Sequence, residues 1–355
     1  MRLSFIIFIC VFFFSSCKGQ PNESSKQYVD AVVAGGNLWG LTTQGNIKIF
    51  DLSSNLSLTK NTNDLHDIVA IAKDRNGNIV VADSFYRIKA VDTITFKLKT
   101  LFRCDTDIFA VVFDSRNNCY SITGDGIVDV YHRHRYVPRF SLNKNVKYLS
   151  GTIGKPYTYF IDKDDNIWMG YGHGEWGGDL YVFSTKSKKF IQLTDSFFKD
   201  GIEPVKSIFE DGKSVYISTG LMHMLLSGSI IKVSDFKGEN IFVSSSYTKG
   251  ADGKSHRNPD PQYIGPATFN PVDGYIYFYS QNGIYKGDPN KNLFIIEYWQ
   301  KVVQLKLNWV NGQRDAVGSP MNVLKMQFIG KNKLMIITQN DGIGLYDGNV
   351  FALLH

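Results

Sequence analysis

Motifs that announce common chemistries are missing from this chain. It has no His-Glu-x-x-His, no phosphate loop, no Gly-x-Ser-x-Gly and no Cys-x-x-Cys. Those absences exclude the motif-borne forms of zinc hydrolysis, nucleotide-phosphate binding, serine hydrolysis and dithiol exchange. Charge of one sign is also scarce: 39 Lys+Arg face 33 Asp+Glu, a formal net charge of +6 over 355 residues. That is too thin a footprint for nucleic acid, which is not an expected partner. The tract His132-Arg133-His134-Arg135 reads as a solvated strand edge that discourages pairing with other chains. With 43% hydrophobic and 20% charged residues, the chain is neither disordered nor a multi-spanning membrane protein. Past residue 27 no segment keeps a 3.6-residue apolar period over three turns, so helices are not expected to build the core.

The long apolar run that does occur lies at the start. Met1–Arg2 is followed by Leu3–Phe14, twelve residues, against the roughly 20 that span a bilayer. It fits the core of a secretory signal peptide. Phe14-Ser15-Ser16-Cys17 then resembles the lipobox of bacterial lipoproteins, with Phe14 where Leu is more usual. The resemblance implies a signal peptide over 1–16, cleavage before Cys17 and acylation of that cysteine; a plain signal peptide cut nearby is the alternative. Residues 18–27 are polar, with Gly, Pro and Ser, and complete a flexible tether, 17–27, ahead of the folded part, 28–355. A multiply acylated terminus holds firmly to a membrane, at about 0.8 kcal/mol per buried CH₂. Lys18 carries no inner-membrane retention signal, so the expected address is the outer membrane, in either leaflet.

Cysteine is scarce as well, at four residues. Cys10 leaves with the signal and Cys17 takes lipid, so only Cys104 and Cys119 are left to pair. Ile108–Phe113 and Cys119–Thr123 read as a hairpin that sets Cys119 opposite Asp114. Ten residues of strand from Cys104 at about 3.3 Å each amount to roughly 30 Å, well past the 7 Å reach of a disulfide. Two buried thiols are expected in place of a disulfide.

Short apolar runs rich in Val, Ile, Tyr and Phe recur between Gly, Asn and Asp, and these read as strands. Asp74-Arg-Asn-Gly-Asn78-Ile-Val-Val matches Asp114-Ser-Arg-Asn-Asn118-Cys-Tyr-Ser and Asp162-Lys-Asp-Asp-Asn166-Ile-Trp-Met. Counting weaker copies, the last turn residue falls at 37, 78, 118, 166, 214, 274 and 333. A second Gly turn follows several copies, as in Gln44-Gly45, Asp125-Gly126, Asn282-Gly283 and Asp341-Gly342. Asp, Asn and Gly suit such places because tight hairpins need positive φ. Four short strands every 40–60 residues indicate an all-β fold, a seven-bladed β-propeller. Six or eight blades are alternatives in number, and an irregular β-sandwich is the alternative architecture. How the ring closes is left open, because the seventh unit holds strands enough of its own up to Val350–Leu354.

Ile161-Asp-Lys-Asp-Asp-Asn-Ile-Trp-Met-Gly170, followed by Gly178-Asp-Leu-Tyr-Val-Phe183, resembles the propeller repeats of bacterial two-component sensor ectodomains. The Asp74 and Asp114 copies are more similar to those of the streptogramin lyase group. The likeness is one of repeats over nearly all of 28–355; it implies fold, and it does not extend to a residue-by-residue match of a catalytic set.

In such a ring the Asp-x-x-Gly-Asn turns lie on a structural face, where their carboxylates cap the turns. The opposite face gathers the irregular loops. Blade four has Tyr171-Gly-His173-Gly-Glu175-Trp176-Gly-Gly178 there: an imidazole and a carboxylate for acid–base or metal chemistry, glycines for close approach, and an indole for stacking. A structural loop is the competing reading. Blade five adds His223 between Met222 and Met224, the methionines being packing residues. Two insertions follow: 244–263, with His256, Arg257 and Asp260, and 298–321, with Trp309, Arg314 and Asp315. Loops of that length are commonly functional or disordered. Arg257 and Arg314 offer either an anion clamp or ion pairs with the nearby aspartates.

The chain is therefore expected to be an exported, lipid-anchored, non-catalytic module of the bacterial cell envelope. It would bind an envelope protein, a small molecule or a glycan through the loop-rich face, with His173, Glu175, Trp176, His223, His256, Arg257, Trp309, Arg314 and Asp315 as candidate ligand-binding residues. No cofactor is required. Two alternatives stand beside this reading. One is a propeller lyase or hydrolase with His173, Glu175 and His223 as its catalytic set, and a divalent metal in that case alone. The other is a glycan-recognising sensor accessory that stacks sugars on Trp176 and Trp309.

Overall fold

The computed structural model describes residues 27–54, 56–57, 65–140, 154–199, 201–222, 225–249, 254–308, 323–330 and 332–354. They form seven four-stranded antiparallel sheets and one two-stranded hairpin. Each large sheet uses four successive strands in chain order: blade 1 over 28–57, blade 2 over 68–103, blade 3 over 108–136, blade 4 over 158–191, blade 5 over 205–245, blade 6 over 267–303 and blade 7 over 323–353. One short helix, Ser196–Lys199, joins blade 4 to blade 5. The seven-bladed β-propeller expected from the repeats is the fold observed.

Burial falls outward along each blade. In blade 2 every residue of the second strand, Ile79–Asp83, is buried, whereas Lys99, Thr100 and Leu101 of the outermost strand, Leu98–Arg103, are exposed. Apolar residues therefore run without alternation through inner strands, because a neighbouring blade covers each face. Seven apolar clusters result, one at each junction. Trp39, Ile49, Ile71 and Val81 join blades 1 and 2, and Trp168, Leu180, Ile217 and Ile231 join blades 4 and 5. Each fully buried Leu, Ile, Val or Phe contributes about 1.5–3 kcal/mol, so the junctions hold the ring.

The Asp turns between first and second strands act as caps and as stitches. Asp162 Oδ1 accepts the N–H groups of Asp164 and Asn166 at 2.9 and 2.8 Å, while Oδ2 accepts Asn166 Nδ2 and Trp168 Nε1 at 2.9 and 2.8 Å. Asp74 repeats the pattern; burial opposes its charge, but donors on Asn78 and neighbouring groups hold it below the usual carboxylate range. Each turn also reaches the next blade. Arg75 donates to Asn117 Oδ1 and to the Asp114 carbonyl, and Ser115 donates twice to Asp165, both at 2.7 Å. Lys163 donates to Glu210 and to the Gly212 carbonyl.

Blade 7 keeps all its own strands: Phe351–Leu353 pairs with Ile343–Tyr346 of the same sheet. The ring closes by packing, with Tyr28, Leu38 and Phe50 of blade 1 against Met335, Ile337 and Ile343 of blade 7. Polar ties add to it. Lys333 Nζ donates to the Leu52 carbonyl, and Lys325 Nζ donates to Asp30 Oδ1 at 2.5 Å. Tyr159 of blade 4, on the far side of the ring, donates its hydroxyl to Asp30 Oδ2 at 2.8 Å. Asp30, Tyr159 and Lys325 thus bridge the central channel. Burial first, and the Asp30 charge second, push the Tyr159 hydroxyl well above its ordinary pKa.

Cys104 and Cys119 form no disulfide, as expected, but only Cys119 is buried while Cys104 is half-buried, and separation along a strand is not the reason. Cys104 ends the outer edge of blade 2 and folds back onto blade 3, where its Sγ lies 3.8 Å from Ser121 Oγ, two residues from Cys119. Burial raises the pKa of both thiols.

Candidate functional site

The two faces of the ring differ in what their polar groups do. On the Asp-turn face they are consumed in caps and stitches. The second-to-third-strand turns and the blade connections build the other face, where blade 4 departs from a tight turn and the connection after blade 5 forms a hairpin of its own.

In blade 4 the second strand, Asn166–Gly172, pairs over its whole length with the third, Gly178–Ser184. Between them a single 3-10 turn, Gly174–Trp176, is held by Trp176 N–H to the His173 carbonyl at 3.2 Å and His173 N–H to the Gly177 carbonyl at 2.8 Å. Glycine is required at 178: a Cβ there would lie 2.4 Å from the Glu203 carbonyl oxygen. The Gly178 N–H instead donates to the Ile202 carbonyl at 2.7 Å, tying the loop to the segment that enters blade 5.

The sequence-derived candidates fall in different places. Trp176 stands at the crest of the turn, 70% exposed, and Glu175 beside it is exposed. His173 turns its ring nearly parallel to that of Tyr171, at an interplanar angle of 11°. His173 Nε2 and the Tyr171 hydroxyl are buried without a hydrogen-bond partner, and burial pushes the Tyr171 hydroxyl far above its ordinary pKa. Among the described residues no group of three His, Cys, Asp or Glu side chains is placed to hold a metal ion. His223, Trp309, Arg314 and Asp315 lie outside the described residues, as does Cys17 with its leader. Of His256 only the backbone is described: it pairs with Thr248 in the hairpin Tyr247–Lys249 and Ser255–Arg257. Arg257 sits opposite Tyr247 in that hairpin. Both line a groove of about 550 Å³ with Leu225, Asn258 and Pro261. The groove is of ligand size.

Three residues that sequence reasoning passed over stand next to the blade 4 loop. Lys206 is the unpaired residue of a β-bulge in the innermost strand of blade 5, Val205–Glu210, between the pairs Val205↔Thr219 and Ser207↔Ser218. Bulges re-aim side chains, and the same position bulges in blades 1, 2, 3 and 7, at Val29, Val69, Phe109 and Leu324. The Lys206 ammonium lies 5.5 Å from the ring centroid of Tyr157, which is 64% exposed. Tyr157 in turn sits against Gly172, where a Cβ would be 3.7 Å from its Cδ2. Glu203 lies near the hydroxyls of Ser227 and Thr219, which favour its charged form, but its Oε2 is buried without a partner. Burial raises the Glu203 pKa against the pull of Ser227 and Lys206, and burial lowers that of Lys206 to about 8. The sequence signal was slight: a Glu and a Lys three residues apart, flanking Pro-Val at a strand entrance.

A second cleft, about 420 Å³, opens beside blade 2 between His66, Phe85 and Lys97. Asp83 at its base is 1% exposed and is held by Arg87 Nε at 2.8 Å and Lys89 Nζ at 2.6 Å. Its charges are largely spent on each other.

No protein-family model and no curated protein matches this chain. Solved structures do. The β-propeller domain of Myceliophteria thermophila Cps50 (Swd1) aligns at a TM-score of 0.53 and 11% identity, over 90% of this chain and 97% of that one. The extracellular domain of a candidate one component system from B. thetaiotaomicron gives 0.52 and 11%, over 90% of this chain and 38% of that one. A computationally designed protein, Ika8, gives 0.51 and 14%, over 90% and 83%. At such identities the likeness is one of fold, and in fold this chain is similar to them as a seven-bladed β-propeller.

Proposed function

We propose that this protein is an exported, lipid-anchored, non-catalytic binding module of the bacterial cell envelope, with its ligand or partner held on the loop-rich face of blades 4 and 5. The leader and the Cys17 motif support the address, and propellers commonly serve as binding modules. One observation carries the placement. That face exposes Trp176, Tyr157 and Tyr247 around glycine-dependent turns and a groove containing Arg257, an arrangement suited to recognition.

Two measurements test it. In a bacterial host, Cys17→Ser is expected to abolish palmitate labelling and move the full chain from the membrane to the soluble fraction; unchanged labelling would remove the anchor. Wild type purified from native membranes is then compared by mass spectrometry with a Trp176→Ala, Tyr247→Ala, Arg257→Ala variant. A stoichiometric ligand or partner is expected with wild type and not with the variant. Identical companions for both would place the binding elsewhere. A stoichiometric metal lost on His173→Ala would shift the reading to the lyase or hydrolase.

A further inference from the structure

We propose that the channel mouth at the junction of blades 4 and 5 binds the neutral ring of a carbohydrate, packed on Tyr157 and Trp176 and hydrogen-bonded by Glu203 and Lys206. This rests on the reading of the loop-rich face as a binding surface and names the ligand class for it.

Glu203 Oε2 is out of solvent and has no donor, a costly state for a carboxyl oxygen. Lys206 has an aromatic ring beneath its ammonium and supplies donors. A partner must therefore both donate and accept within a small span. Its charge is constrained as well: Lys206 disfavours a cation, Glu203 disfavours an anion, and burial disfavours either. A purely apolar ligand leaves Glu203 unsatisfied. Tyr157 and Trp176, 64% and 70% exposed, offer flat apolar faces with little entropy to lose. A sugar ring meets every condition: neutral, with C–H faces for the aromatics and adjacent hydroxyls that donate and accept. The bridge of Asp30, Tyr159 and Lys325 obstructs the channel, so a ligand at this mouth lies over the ring and does not thread it.

The test titrates the full chain with cellobiose, maltose, xylobiose and mannobiose, and with glucuronate and glucosamine as charged comparators, by calorimetry and tryptophan fluorescence. At least one neutral disaccharide is expected to saturate a single site more tightly than either charged sugar. Trp176→Ala, Tyr157→Ala and Lys206→Met should each weaken it tenfold or more, and Glu203→Gln by a smaller factor. Ile94→Ala, on an exposed turn of blade 2, should leave it unchanged. Melting temperature checks the fold of each variant, and Lys206→Gln replaces Lys206→Met if the latter does not fold. Absence of neutral-sugar binding overturns the proposal, as does tighter binding of glucuronate, or sugar binding that survives Trp176→Ala and Lys206→Met. If no sugar binds while the Trp176→Ala, Tyr247→Ala, Arg257→Ala variant still loses a co-purifying partner, the carbohydrate falls and the binding module stands. If neither occurs, both fall.

Discussion

At the scale of single residues, buried charge decides most. Asp162 is 5% exposed and takes four donors, one of them the indole of Trp168, itself 2% exposed. Asp162→Ala strands those donors inside the protein, and we expect a loss of about 3 kcal/mol in urea unfolding. Lys206 acts in the opposite sense. Its folded pKa, lowered to about 8 from an ordinary 10.5, means that the unfolded chain binds the extra proton between those values. Stability from this group therefore rises with pH above about 8. Between pH 8 and 9.5, below the range where tyrosines titrate, wild type should gain melting temperature relative to Lys206→Met; parallel curves would show that the ammonium is not held out of water. Glu203 has a raised pKa, so its contribution falls as pH climbs from the ordinary carboxyl range through the folded value. Both shifts have burial as their first cause.

At the scale of elements, the turns were legible before the strands were placed. Ile108–Phe113 and Cys119–Thr123 are strands with the bounds read from the sequence, because Asp114 and Asn118 cap a hairpin from within five residues. What joins one element to another was not legible. Ser115 to Asp165 spans 50 residues, Tyr159 to Asp30 spans 129 and Lys325 to Asp30 spans 295. No local period marks such pairs. The cysteine geometry failed for the same reason, since distance was counted along one strand while the chain had crossed to the next blade. The channel bridge carries its own prediction. Asp30→Ala leaves Lys325 and Tyr159 without their acceptor and should cost about 2 kcal/mol. A cycle with Lys325→Met should show coupling of about 1 kcal/mol, modest because Lys325 is 37% exposed. Additive single variants would mean that the pair adds nothing to closure.

At the scale of the whole molecule, ring closure sets what each end of the chain contributes. Many rings could be locked by lending an N-terminal strand to the last blade; here blade 7 is complete, and closure depends on an apolar junction like the six others. A chain that begins at Gln27 should therefore melt within a few degrees of the full-length protein. A large drop would show that residues ahead of 27 take part in closure.

Repeat spacing, turn chemistry and the apolar character of inner strands determined the fold from the sequence alone. Positive φ, capping carboxylates and burial on both faces of a strand are local demands, met by residues a few positions apart. The leader and Cys17 likewise set the expected address by local pattern. The loop of His173, Glu175 and Trp176 was legible as a departure from the repeat. Its roles were not: only packing shows His173 stacked on Tyr171 and Trp176 exposed at the crest. Tyr157, Glu203 and Lys206 come together only in the tertiary structure. A bulge re-aims Lys206, Gly178 admits the Glu203 backbone, and a blade junction buries Glu203 Oε2 while leaving the Tyr157 and Trp176 rings exposed. Such an arrangement depends on where adjacent sheets press together, and desolvation acts on that neighbourhood, whatever the order of the residues along the chain.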